Sequence, residues 1–183
     1  MIRNTAVTVC GPLNVNKLGV TYVHEHLMVK PQLPDEYYIP YTLDDEAAST
    51  EETRSFSAAG GETLVEMTPI NYGRNVKAYQ RIAQATGVHV ICCTGFHKQL
   101  FMPPWFGDKT DGELYDILMD EVTNGLDDTE IHPGVIKLGT SFEEVTAAEK
   151  RSIEAVARVH RDTGIPISTP VSYTHLRAHE TLA

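Results

Sequence analysis

Cysteine, basic charge and long apolar runs are scarce in this sequence, and each scarcity excludes a class of protein. The three cysteines, Cys10, Cys92 and Cys93, do not form a disulfide framework, so we expect a reducing, cytoplasmic setting. The formal net charge of −10 argues against a nucleic-acid or anionic-membrane surface, because both require clustered Lys and Arg. No run approaches the roughly 18 apolar residues of a membrane span. The start, MIRNTAVTVCGPLN, lacks the apolar stretch of a signal peptide.

Short strand-like runs alternate with longer helical patterns along most of the chain, which is typical of parallel β/α units. Five runs predict strands: GVTYVHEHL, ETLVEMTP, VHVICCTG, GVIKLGTS and IPIST. The clearest helical pattern lies before the last of them, with Thr146 as N-cap, Glu149 three residues later and Gly164 at its end. Before the first strand, TAVTV and VNKLGV, separated by CGPLN, predict a small hairpin.

Two α/β architectures fit this alternation: a doubly wound open sheet and a TIM (β/α)8 barrel. No glycine-rich phosphate fingerprint follows the first strand, which disfavours the nucleotide-binding version of the open sheet. We therefore predict a barrel. With 183 residues the chain supplies about the first four and a half β/α units of one.

Two histidines flank one glutamate at the end of the first predicted strand, in YVHEHLMV. Residues i and i+2 of a strand point to the same face, so His24 and His26 would face one point and Glu25 would turn away. Neutral imidazole is the commonest metal ligand near pH 7. Histidines at strand ends are also often merely hydrogen-bonded, so the spacing alone leaves both interpretations open.

Lys137 lies inside the fourth predicted strand, on the same face as Val135 and Gly139. A buried ammonium is costly unless it is paired or modified. One interpretation packs the lysine stem and leaves its head in water. The other has the neutral amine react with carbon dioxide to form a carbamate, an anion whose two oxygens could bridge two cations.

Four blocks of the sequence together resemble the phosphotriesterase family of the amidohydrolase superfamily. They are GVTYVHEHL, GGETLVEMTPINYGRN, ATGVHVICCTGFHK and GVIKLGTSFEEVTAAEKRSIEAVARVHRDTGIPIST, within about residues 10 to 169. The resemblance implies a barrel of the metal-dependent hydrolase type that holds two divalent cations, usually Zn²⁺. By this resemblance His24 and His26 are metal ligands. Lys137 is the carboxylated lysine that bridges both metals, and it requires carbon dioxide.

The same resemblance implies a hydrolase in which a metal-bridged hydroxide attacks an ester, a phosphotriester or a lactone, including a sugar-phosphate lactone. His97 and Lys98 follow the third strand in TGFHKQL and could contact an anionic group of such a small-molecule substrate. A solvated loop pair is the alternative. Glu66, at the end of the second strand, could orient a metal ligand, although a strand-end carboxylate needs no such role.

The last residues depart from the family pattern. Pro170 stands where the family has a further histidine ligand, and the tail to Ala183 resembles translated sequencing-adapter read-through. We expect residues 1–169 to be the N-terminal part of a barrel and residues 170–183 to be non-native. The other ligands and the proton acceptor are then missing, so we expect this chain to be inactive. The alternative is a non-catalytic fragment or a metal-binding half-barrel, with a homodimer as one form.

Overall fold

A five-stranded parallel sheet organises residues 4–32 and 41–169, the part of the chain that the computed structural model describes. Two strands, β1 (Thr5–Thr8) and β2 (Gly11–Asn14), form a separate antiparallel hairpin. The parallel sheet consists of β3 (Thr21–Glu25), β4 (Thr63–Glu66), β5 (His89–Phe96), β6 (Val135–Leu138) and β7 (Ile167–Ser168). The helices are α1 (Glu46–Ala58), α2 (Val76–Thr86), α3 (Asp111–Asn124) and α4 (Ala147–Thr163). None of these helices is both long and apolar enough to cross a membrane. The predicted non-native tail lies outside the described residues.

The strands of the parallel sheet lie side by side in chain order, β3-β4-β5-β6-β7. Each strand pairs in parallel with the next, as in the pairs Thr63 with His89, Cys93 with Val135 and Lys137 with Ser168. A doubly wound sheet reverses its strand order at a switch point, and this sheet does not. The barrel architecture is therefore confirmed over the open-sheet alternative.

Alternate residues of each strand divide the interior into two layers. On the helix side, Leu64 and Val90 pack with Tyr79 and Ile82 of α2, all at most 3 % exposed. On the opposite side, an apolar cluster contains Val65, Met67, Ile91, Cys93 and Val135. Strands covered on one face by amphipathic helices and filled on the other by apolar side chains are what a barrel wall requires.

The caps that the sequence predicts for α4 are present. The Thr146 hydroxyl accepts from the Glu149 N–H, the Glu149 carboxylate accepts from the Thr146 N–H, and Gly164 ends the helix with φ +72°. A matching capping box, formed by Thr110 and Glu113, starts α3.

The predicted hairpin exists, but the predicted position of its second strand was wrong. Thr5–Thr8 pairs with Gly11–Asn14, which lies within the expected turn, and Val15–Lys17 forms a 3₁₀ helix instead. Thr8 pairs directly with Gly11, whose φ of +106° and lack of a Cβ permit a two-residue turn. The tight turn starts the return strand four residues earlier than the apolar pattern indicates.

Candidate metal centre

His24 in β3 and Lys137 in β6 meet on the inner side of the sheet. The Nε2 atom of His24 lies 3.3 Å from the Nζ atom of Lys137, which is 1 % exposed. The His26 ring lies beside that of His24, with 5.4 Å between centroids. Glu25 and His26 both line a groove beside α1. The structure therefore brings His24, His26 and Lys137 together, and the opposite orientation of Glu25 stays a prediction.

The electrostatics of this cluster favour neutral side chains. Burial, together with the charge of Lys137, lowers the pKa of His24 to about 4 and that of His26 to about 3. Burial likewise lowers the pKa of the Lys137 ammonium from its usual value. Two imidazoles are thus neutral near pH 7, and each then has one ring nitrogen with a free lone pair.

A buried hydrogen-bond chain connects His26 to β4. The Nδ1 atom of His26 lies 2.8 Å from the Thr68 hydroxyl, which donates to Glu66 Oε1 at 2.6 Å. Glu66 also accepts from the backbone N–H groups of Leu27 and Thr68. Its complete burial raises the pKa of Glu66 to about 7, against the opposing effect of these hydrogen bonds.

His97 lies among aromatic rings at the edge of the cluster. Its ring centroid is 4.7 Å from those of both Tyr72 and Phe101, and the Tyr72 ring is 6.0 Å from that of His26. Its Nδ1 accepts from the Lys98 N–H at 2.7 Å, and burial lowers its pKa to about 2. The Lys98 ammonium lies 5.5 Å from the centre of the Phe101 ring. Of the two predicted substrate contacts, His97 therefore packs against the aromatic rings next to the cluster, and Lys98 lies over one of those rings.

One buried carboxylate ties together the loops around the cluster. Glu149, 0 % exposed, accepts from the Gln99 N–H in the loop after β5 and from the Ser141 hydroxyl in the loop after β6. Hydrogen bonds from Ser141, Gln99 and Thr146 outweigh the effect of burial and lower the pKa of Glu149. A charged acceptor with several donors is a strong link, so the strand-end loops share one anchor.

The sequence alone missed Thr68 and Tyr72, and it read Glu149 as a helix cap without its two loop contacts. A usable signal existed for Thr68, because it lies two residues after Glu66 at a strand end next to the H-x-H strand. For Tyr72, no periodic pattern marks a loop residue as a neighbour of His97.

The donor set suits a divalent transition metal but is incomplete in the described part of the chain. Imidazole nitrogen and an amine that can become a carbamate oxygen donor are ligands of the kind that Zn²⁺ accepts. Within residues 4–32 and 41–169, no group of three or more His, Cys, Asp or Glu side chains is placed to hold a metal ion. His24, His26 and Lys137 thus fit part of a metal site.

A parallel sheet in strict chain order with helices on its outer face is the wall of a (β/α) barrel, a fold in which active sites lie where the strands end. The chain belongs to the phosphotriesterase family, whose model matches residues 4–183. That match runs through the tail, which the resemblance seen in the sequence did not reach.

Individual relatives are similar to this chain both in sequence and in structure. The phosphotriesterase homology protein of Escherichia coli is 31% identical over 88% of this chain, and its crystal structure, with phosphate in the active site, superposes with a TM-score of 0.80. A phospho-furanose lactonase of Mycoplasmopsis synoviae is 32% identical over 91% of the chain. A lactonase structure from Listeria monocytogenes covers 90% of the chain at 30% identity with a TM-score of 0.82.

The chain spans about half the length of these relatives, at 56%, 52% and 56% respectively. The five strands of the parallel sheet therefore correspond to roughly half of a relative's chain. Relatives with lactonase and hydrolase activities agree with the hydrolase class that the sequence predicts.

Proposed function

We propose that this chain contributes the first metal-binding side chains of a metal-dependent hydrolase that opens lactones or related esters. The observation that carries the proposal is the meeting of His24, His26 and the buried Lys137 at neighbouring positions on the inner side of the sheet. Membership of a family with lactonase relatives supports the reaction class.

In this proposal His24 and His26 hold one divalent cation, and Lys137, carboxylated by carbon dioxide, contributes oxygen ligands to two cations, for which Zn²⁺ is the first candidate. When bound, such cations act as Lewis acids and lower the pKa of water. The chain's own residues prepare the site: burial keeps both imidazoles neutral, and it makes the Lys137 amine easier to deprotonate for reaction with carbon dioxide.

For the substrate we propose an ester, a phosphotriester or a lactone, with a phosphorylated sugar lactone preferred. His97 and Lys98 would contact its anionic group. Supporting this, the E. coli relative holds phosphate in its active site and the M. synoviae relative is a phospho-furanose lactonase. In the product of the gene extended to the length of its relatives, Lys98→Ala should raise KM for phosphorylated lactones and leave KM for neutral lactones unchanged. An equal rise for both substrates would contradict this role.

Metal binding by the 183-residue chain tests the site itself. We expect Zn²⁺, measured by competition with a chelator in bicarbonate buffer, to bind more weakly to His24→Ala, His26→Ala and Lys137→Ala than to the parent chain. Truncation of one ligand in a site this small should lower affinity at least tenfold. His89→Ala is the control, because His89 lies at the start of β5, away from the cluster. Equal affinity in all four variants would refute the assignment.

Carboxylation of Lys137 has a separate readout. After incubation with ¹³C-bicarbonate and Zn²⁺, a carbamate ¹³C resonance should appear in the parent chain and be absent from Lys137→Ala. A carbamate signal of equal strength in both proteins would place the modification on another amine.

The second candidate is a non-catalytic fragment, a half-barrel that binds metal weakly or not at all and that could pair as a homodimer. The incomplete donor set in the described residues favours it for this chain in isolation. Less than one tightly bound metal per chain, with no lactone hydrolysis, would support this candidate. Genomic reads that continue past the Pro170 codon with a histidine codon and further β/α units would support the enzyme.

We also propose a cytoplasmic location, since all three cysteines are unpaired thiols.

A further inference from the structure

The hydrogen-bond chain from His26 through Thr68 to Glu66 has a direction that proton counting fixes when Glu66 is an ionised carboxylate. A threonine hydroxyl has one proton, and Thr68 donates it to Glu66 Oε1 at 2.6 Å. The same hydroxyl oxygen lies 2.8 Å from His26 Nδ1. With its proton committed, the hydroxyl can only accept there, so the proton of this hydrogen bond belongs to Nδ1.

Backbone donors fix the other end of the chain. The Leu27 N–H donates to Oε1 of Glu66 at 3.1 Å, and the Thr68 N–H donates to Oε2 at 3.0 Å. Backbone N–H groups cannot reverse their role, so both carboxylate oxygens already act as acceptors. A carboxylate with three donors is the arrangement expected when the Thr68 hydroxyl points its proton toward Glu66.

Strand geometry explains why Glu66 takes this position. The β3–β4 register shifts between Tyr22 and Glu25, and the Met67 N–H is bonded to the Glu25 carbonyl. Beyond this point the Leu27 N–H leaves the ladder and is bonded to the Glu66 side chain. The end of β3 and the ring of His26 are therefore held by the same carboxylate, which is 0 % exposed.

We propose that Thr68 and Glu66 are positioning residues that hold His26 in the tautomer with its proton on Nδ1, which leaves the Nε2 lone pair as the donor to a metal ion. The metal-binding consequence rests on the proposed function, whereas the tautomer is a property of the metal-free chain. His24 presents Nε2 to the Lys137 amine at 3.3 Å, so both imidazoles would use the same ring nitrogen toward the cluster.

The tautomer can be read directly in the metal-free 183-residue chain with ¹⁵N-labelled histidine. Long-range ¹H–¹⁵N correlation spectra at neutral pH should show the proton of His26 on Nδ1. Thr68→Val keeps the side-chain shape and removes the acceptor, so we expect a mixture of the two tautomers. Thr68→Ser keeps the hydroxyl and should restore the parent pattern. His24, in the same spectra, is an internal control whose tautomer should not change.

Zinc affinity gives the second readout. Thr68→Val should bind Zn²⁺ about 10–100-fold more weakly than the parent chain, as is typical when the hydrogen-bond partner of a metal ligand is lost. Thr68→Ser should recover most of that affinity. Should Thr68→Val fail to fold, Glu66→Gln gives the same comparison, because its amide can donate to the Thr68 oxygen and free that hydroxyl to donate to Nδ1.

The outcomes separate the two proposals. His26 with its proton on Nε2 in the parent chain, or a tautomer and a zinc affinity that Thr68→Val leaves unchanged, would overturn the positioning role. An Nδ1-protonated His26 that responds to Thr68→Val in a chain that binds no zinc would support the positioning role. That same result would count against the proposed metal site.

Discussion

The primary amine of Lys137 is almost completely buried. It is 1 % exposed, and a His24 ring nitrogen lies 3.3 Å from its Nζ. Burial lowers its pKa below the usual 10.5. The unfolded chain therefore binds the proton more tightly than the folded chain, and below pH 10.5 protonation weakens the fold.

Replacing this lysine should consequently stabilise the metal-free chain. In the absence of bicarbonate, Lys137→Met should raise the free energy of unfolding at pH 7 by about 1–3 kcal/mol, because the cost of burying the amine disappears. The gain should shrink as the pH rises toward 10.5, where the amine becomes neutral in both states. Urea unfolding at several pH values measures it.

Lys150→Met is the matched control for this prediction, because Lys150 lies on α4 with its side chain exposed to water. Destabilisation of Lys137→Met at pH 7 would indicate that the amine is paired or modified in the folded chain even without added bicarbonate.

At the residue scale, the sequence predicts the site residues whose positions match the two-residue period of a β-strand. His24 and His26 stand two residues apart at the end of an apolar run, and Lys137 lies within another, so the sequence could select these three residues before their contacts were known. Thr68 and Tyr72 could not be found in this way. Their roles depend on hydrogen bonds and ring contacts between different strands and loops, and no local periodicity encodes such contacts.

At the element scale, two capping boxes with the same local chemistry have different surroundings. Glu113 at the start of α3 is exposed, accepts from the N–H and hydroxyl of Thr110, and lies 3.6 Å from the Lys109 ammonium. Glu149 at the start of α4 is fully buried and also holds Gln99 and Ser141. Comparing the two glutamates therefore separates what the helix cap contributes to the free energy of unfolding from what the loop contacts contribute.

Glu149→Ala should lower the free energy of unfolding by about 2–4 kcal/mol, because it removes the helix cap and breaks partly buried hydrogen bonds to two loops. Glu113→Ala should lower it by about 1 kcal/mol or less, as for loss of a helix cap alone. Because hydrogen bonds lower the pKa of Glu149, its stabilisation should be lost as the pH falls below 4.5. Thermal unfolding at pH 7 and pH 4 tests both expectations. Equal losses in the two variants would show that the loop contacts contribute nothing.

Most elements could be predicted because their local signals agree with one another. The pattern of α2 places Val76, Tyr79, Ile82 and Ala83 on one face, all four are buried, and Gly87 ends the helix with φ +76°. The predicted hairpin was misplaced because a two-residue turn at Val9 and Cys10, followed by Gly11, carries a weaker signal than the apolar residues after it. Turn geometry, rather than hydrophobicity, sets that register.

At the scale of the whole molecule, the described parallel sheet has two outer strands, β3 and β7, each paired on one side. Exposed apolar side chains lie in β3 and just before it: Val20 is 58% exposed, Tyr22 52% and Val23 70%. Unpaired strand edges with apolar side chains promote association between chains.

Val23→Lys should therefore reduce self-association of the 183-residue chain, because a charged side chain on an edge strand opposes pairing. Sedimentation velocity over a range of protein concentrations measures the effect. Leu100→Lys is the control, since Leu100 is 55% exposed but lies in the 3₁₀ helix Gln99–Phe101 and not in an edge strand. An equal reduction of self-association in the two variants would mean that general surface hydrophobicity, and not the β3 edge of the sheet, drives association.

Because the strands of the sheet lie in chain order, the sheet can form strand by strand during translation. Every strand from β4 onward docks against one already synthesised, so the wall can assemble progressively from its N-terminal side during translation. His24 lies in the first strand of the sheet and Lys137, 113 residues later, in the fourth. A nascent chain would therefore acquire its candidate ligand cluster only when the fourth strand has been added.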